Sequence, residues 1–197
     1  MASIVATRKG HIVQDPPLAR LLFNDTRMGW LWLIPRIWVG WQWVQAAEHK
    51  VTSAAWVVTG DALKGFWVSA VTIPAKGSPA IAYGWYRAFL EMLLNTQSYT
   101  WFAKLIAYGE LLVGIGLILG AFTGIAAFFG GLMNWNFMMA GSASINPFLF
   151  IIAILLILAW KNAGYIGADY FLLKFLGTPW KPNNAAESQG AVKQPAS

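Results

Sequence analysis

The chain has no cysteine among its 197 residues. That excludes a disulfide framework, a thiol nucleophile and iron–sulfur ligation within it, and leaves the redox state of its compartment unread. Histidine is nearly as scarce. His11 lies in the N-terminal segment and His49 at the outer end of the first apolar segment, so the chain alone has no bis-His pair for a haem and no His-rich metal site. Charge is thin as well, at 11% of residues, where soluble domains carry about a quarter. The 14 Lys and Arg exceed the 8 Asp and Glu, giving +6. They form no basic stripe with interleaved aromatics, which argues against a nucleic-acid partner. They read instead as the flanks of membrane helices near anionic lipid headgroups.

What is abundant is apolar: 57% of residues, with twelve Trp, most of them suited to an interfacial belt. A helix rises ~1.5 Å per residue, so ~20 apolar residues cross a ~30 Å hydrocarbon core. Four segments qualify: 28–47, 101–120, 124–141 and 147–164. The expected fold is an all-α membrane protein, a four-transmembrane-helix bundle spanning 28–176. Asn146 is placed to cap the fourth helix, Pro147 suits its first turn, and Lys161 and Gly164 mark its end. Residues 1–27 lack an h-region and a cleavage site and read as a cytoplasmic segment rather than a signal peptide. Residues 177–197 are polar and rich in Pro, Ala and Ser, and are expected to be disordered. An even span number and the basic flanks predict a multi-pass protein of the inner, cytoplasmic membrane, with both termini cytoplasmic and the 51–100 loop outside.

That loop has its own pattern. Leu63, Phe66, Trp67, Ala70 and Val71 form a helical stripe, "IPAKGSP" breaks the chain, and a second helix sets Trp85, Phe89, Met92 and Leu93 on one side. Two amphipathic helices there would lie at the membrane surface or cap the bundle, as a lid or as a substrate-admitting cap. Gly116, Gly120 and Gly124 make a small-residue ridge, for packing inside the bundle or for a homodimer face. Asn134 and Asn136 point ~200° apart on the third span, each suited to an interhelical hydrogen bond.

Two charges fall inside the spans, where each alone costs ~2.5–3.5 kcal/mol or more. Arg36 lies ~12 Å from the inner end of the first helix and Glu110 ~14 Å from the outer end of the second, so antiparallel packing predicts that they meet. Pro35 removes a backbone donor beside Arg36. Trp32 and Trp43 flank Arg36 on roughly the same helix face. The pair reads either as a purely structural ion pair or as part of a polar pocket for protons or a quinone headgroup. The candidate cofactor-binding residues are Arg36, Glu110, Trp32 and Asn136; no catalytic residue is singled out.

The phrases "PRIWVGWQWVQAAEHKV", "YGELLVGIGLILG" and "NWNFMMAG" resemble the DoxX/DoxD family of four-helix membrane proteins. "GDALKGFW" and "IAYGWYRAFLEMLL" are similar to its DoxD branch, the thiosulfate:quinone oxidoreductase subunit. The resemblance runs from about Met28 to Leu176, with Arg36, Gly40, Glu110, Gly114, Asn136 and Asp169 on recurrent positions. Gly124 departs from it, standing where a basic residue is expected. The resemblance implies electrons passed from thiosulfate to a membrane quinone beside a second, DoxA-like subunit. With no thiol here, any sulfur chemistry proceeds without one or belongs to that partner. The alternative class is a non-catalytic accessory or scaffold subunit of a larger respiratory or photosynthetic membrane complex. A small-solute permease comes third, disfavoured by only four spans.

Overall fold

The computed structural model describes residues 5–7, 10–12 and 15–175, and beyond a short N-terminal ribbon its regular elements are all helical. In that ribbon β1 (Val5–Thr7) pairs antiparallel with β2 (Gly10–Ile12). Helix α1 (Pro17–Asn24) begins on a proline, whose missing N–H is an orphan at that position anyway. A 3₁₀ turn, Thr26–Met28, follows; Asp25 accepts the Arg27 amide at its start. The tail beyond Phe175 lies outside the described residues.

Four long helices follow the predicted segments closely. They are α2 (Gly29–Val51) and, after the loop helices α3 (Ala54–Val57), α4 (Asp61–Val71) and α5 (Gly84–Asn95), α6 (Tyr99–Leu119), α7 (Thr123–Met139) and α8 (Asn146–Leu158). The fourth predicted segment is not one helix. It breaks at Ala159 and resumes as α9 (Trp160–Ala163), which ends at Gly164 as expected, before α10 (Asp169–Phe175). Pro35 sits inside α2 without ending it. Asn146 is the first residue of α8 rather than its cap: its side-chain amide donates back to the Ser142 carbonyl at 2.9 Å and ties down the preceding turn. On length and hydropathy, α6 is long and apolar enough to cross a membrane, and α8 is a shorter apolar helix.

The packing is pairwise. α2 lies antiparallel on α6, α7 on α8, and the two pairs are joined through the α6–α7 turn. Where α2 crosses α6, the two backbones meet at glycines. A Cβ on Gly40 would come within 2.9 Å of the Gly114 carbonyl, and one on Gly114 within 2.8 Å of the Val44 nitrogen. The expected ridge of Gly116, Gly120 and Gly124 does pack inward, but against three different partners: Ala126, the Arg36 guanidinium and Trp160. Gly120 is also the left-handed residue (φ +65°) that ends α6, a conformation costly for a side chain with a Cβ.

The inner core gathers Trp32, Trp43, Leu117, Leu149 and Leu156; a second cluster lies under α4 and α5. On α4 the buried residues are Leu63, Trp67 and Ala70, as the stripe predicts. On α5 the buried face is Tyr86, Leu90 and Leu93, whereas Trp85, Phe89 and Met92 are exposed. The expected face was rotated, because Ile81 and the Tyr86 hydroxyl fix how α5 docks on the bundle. Both loop helices therefore cap one end of the bundle. Outside, each long helix shows large apolar side chains, among them Ile34 (73% exposed), Leu112 (69%), Ile125 (58%) and Leu158 (57%). Glu110 is the only charged residue between Leu105 and Trp160, and it is buried.

Candidate functional site

The four residues singled out in the sequence are not brought together. Arg36 and Glu110 are both fully buried but belong to different neighbourhoods. The reason is the stagger of α2 on α6. Arg36 reaches Gly120, at the very end of α6, while Glu110 stands ten residues earlier, roughly 15 Å away along the axis. The first eight residues of α2 overhang α6 and are covered by α1, α9 and the segment after α9.

Arg36 is held there by carbonyls. Its Nη1 donates to Ala163 and its Nη2 to Ile166 at 2.9 Å, with the Asp169 carboxylate close enough to add favourable charge. Asp169 in turn accepts the amides of Phe122 (2.6 Å) and Thr123 (2.8 Å). It thus caps the N-terminus of α7 from α10, a role for which the local sequence around Thr123 carries no signal. Trp32 is part of the same end. Its indole donates to the Leu22 carbonyl at 2.8 Å and its ring stacks on Phe23. These contacts make Arg36, Trp32 and Asp169 a structural latch.

Glu110 pairs with Lys50, whose Nζ lies 2.5 Å from Oε2. The lysine lies three residues beyond the predicted 28–47 span, on the last turn of α2. Its chain folds back along α2, with Nζ 3.3 Å from the Ala46 carbonyl and over the rings of Trp56 and Phe137. The pair lines a polar cavity of about 520 Å³ that also includes Gln42, Trp43, His49 and Ser142.

A second cavity, about 370 Å³, is almost wholly apolar and lies between the cap helices and α6–α7. Small-molecule sites of this kind run to ~300–1,000 Å³ and place a few polar groups in an apolar wall. Here the polar groups are Tyr86 and Asn136. The Tyr86 hydroxyl donates to the Asn136 backbone carbonyl at 3.0 Å and lies 3.2 Å from its Oδ1. Burial pushes the Tyr86 hydroxyl up to about 12, so it stays a donor at physiological pH. Asn136 spends one amide N–H on the Leu132 carbonyl, leaving one N–H to offer an acceptor. Asn136 is thus the one predicted residue that lines this cavity, and Tyr86 is the partner that the sequence did not suggest. Asn134 behaves differently from its expectation: it is fully buried, and neither atom of its amide has a hydrogen-bond partner among the described residues.

Among the described residues no group of three His, Asp or Glu is placed to hold a metal ion. What the two cavities offer is binding and proton handling: hydrogen bonds at the edge of an apolar chamber, and a buried carboxylate in a polar one. Set against protein-family models, curated proteins and solved structures, the chain matches none.

Proposed function

We propose that this chain is a four-span inner-membrane protein of the DoxD type that binds a quinone in the apolar cavity, as the membrane subunit of a quinone-linked redox system. The observation that carries the reading is that cavity, with Tyr86 and Asn136 as the paired polar groups in its wall. An aromatic headgroup would lie among Trp67, Phe102 and Phe137, one of its oxygens accepting the spare Asn136 N–H. The membrane reading is supported by the apolar outer faces of all four long helices and by the run from Leu105 to Trp160, whose single charge is buried. The electron donor implied by the resemblance is thiosulfate. With no thiol in this chain, sulfur handling falls to a second, DoxA-like subunit or to a route that needs no thiol.

Protein purified in mild detergent and extracted with organic solvent is expected to yield near-stoichiometric quinone, and Asn136→Leu to yield several-fold less while remaining folded. Membranes with this chain are expected to reduce a soluble quinone analogue with thiosulfate faster than membranes without it. Quinone-free protein and equal rates would refute the reading and leave the accessory-subunit role. Single cysteines at Ser78 and Ser188 are expected to label from opposite sides of intact cells; equal labelling by an impermeant reagent would overturn the topology.

A further inference from the structure

The polar cavity has a feature that a permanent ion pair does not need. Glu110 is fully buried, yet only Oε2 is engaged; Oε1 has no hydrogen-bond partner. Trp43, on the same cavity wall, is 2% exposed and its Nε1 is also without a partner. A buried carboxylate with one oxygen left bare is costly, and a proton lowers that cost by neutralising the buried charge.

The other half of the pair is built to tolerate that change. Breaking a buried ion pair ordinarily strands the surviving charge. Lys50 would not be stranded: its side chain is 17% exposed, and its Nζ keeps the Ala46 carbonyl and the faces of Trp56 and Phe137. The remaining titratable group in the cavity wall is His49, whose residue is exposed at the outer end of α2. From α7 the wall receives Phe137, and from the 142–149 segment Ser142, Ser144, Ile145, Asn146 and Leu149, none of them ionisable. The nearest helix of the loop, α3, contributes no ionisable residue either.

We propose that Glu110 is a proton-binding site served by this cavity. A proton from the aqueous side forms an O–H bond at Oε1, the carboxylate charge is neutralised, and Lys50 keeps its charge on its other partners. Release reverses the step, and no electron moves. Phe137 lines both cavities, so the proton stands one side chain away from the apolar chamber.

The test is difference infrared spectroscopy of the full chain, freed of quinone by extraction and carrying ¹³C-labelled glutamate, titrated from acid to mildly alkaline pH. The expected result is a deuterium-sensitive carbonyl band of a buried protonated carboxyl that rises as pH falls and is lost in Glu110→Gln. Lys50→Met is expected to move its midpoint upward by about one to three pH units, the shift that removing a nearby opposite charge produces. Helix content measured by circular dichroism confirms that each variant folds. Should Glu110→Gln not fold, the Lys50→Met shift alone decides. A wild-type protein with no such band over the whole range, or a band whose midpoint Lys50→Met leaves in place, overturns the proposal. Because the sample holds no quinone, this outcome is independent of what the apolar cavity binds.

Discussion

Adding one methyl group at Gly40 is expected to destabilise the bundle, although the same substitution stabilises most helices. A Cβ there would lie 2.8 Å from Ile118 Cγ1, 2.9 Å from the Gly114 carbonyl and 3.0 Å from the Ile118 nitrogen. Two of those atoms are backbone, so no rotamer change relieves them, and α2 and α6 must separate by several tenths of an ångström along their main contact. Overpacking of this kind costs ~1–3 kcal/mol, against a helix-propensity gain of ~1 kcal/mol for replacing glycine by alanine. Gly65 supplies the control. It lies inside α4 with nothing within 4 Å of where its Cβ would be, so Gly65→Ala is expected to show the gain alone. The two variants should therefore straddle the wild type, differing by the ~1–3 kcal/mol clash. Gly40→Ala/Gly114→Ala should cost less than the sum of the single changes, because one separation relieves both contacts. Thermal or denaturant unfolding in detergent, followed by tryptophan fluorescence, reads all five proteins, Gly114→Ala included. Equal shifts for Gly40→Ala and Gly65→Ala would refute the close crossing.

Asp169→Ala removes the acceptor of two amides at the start of α7 and is expected to cost ~1–2 kcal/mol in the same unfolding assay, with Asp169→Asn intermediate. Tyr86→Phe takes away the hydroxyl that Asn136 accepts; stability is expected to fall by ~1 kcal/mol and, on the proposed quinone reading, any co-purifying quinone is expected to be lost faster. Hydrogen bonds from Arg27 hold the Asp25 carboxyl down at about 2 rather than near 3.8. With the folded value depressed, its contribution is complete above about pH 4 and is lost as pH falls through about 2. Carbon NMR of that carboxyl through an acid titration checks this, and a midpoint near the unperturbed value would disprove the contact.

The helices were legible because lipid-length apolar runs and their breakers are local signals. "IPAKGSP" separates α4 from α5 and Gly120 ends α6, where the sequence placed them. The buried face of α4 follows from periodicity, whereas on α5 the expected side was that of Trp85, Phe89 and Met92, although Arg87, Glu91 and Asn95 at i, i+4 and i+8 mark a polar side opposite Tyr86, Leu90 and Leu93. The charges were misjudged for a different reason. Depth was counted from the ends of each apolar run, as if α2 and α6 began level, but α2 overhangs by two turns and extends to Val51. That stagger takes Arg36 to the carbonyls after α9 and brings Lys50, with a side chain long enough to fold back, to Glu110. Stagger depends on where α1 and the segment after α9 pack, and no local pattern around residue 36 or 110 encodes it.

The latch of Arg36, Trp32 and Asp169 has a consequence for the order in which the chain can be completed. Ribosomes deliver α2, α6 and α7 well before Asp169, and domains fold from the N-terminus as they emerge. Until α9, α10 and the segment between them dock, the first amides of α7 lack their acceptor and the Arg36 guanidinium lacks the carbonyls of Ala163 and Ile166. α2 and the α6–α7 hairpin thus wait on the 163–169 segment, and one late docking event satisfies them together. α10 is a clasp rather than an appendage: the bundle is assembled from its front and fastened from its back.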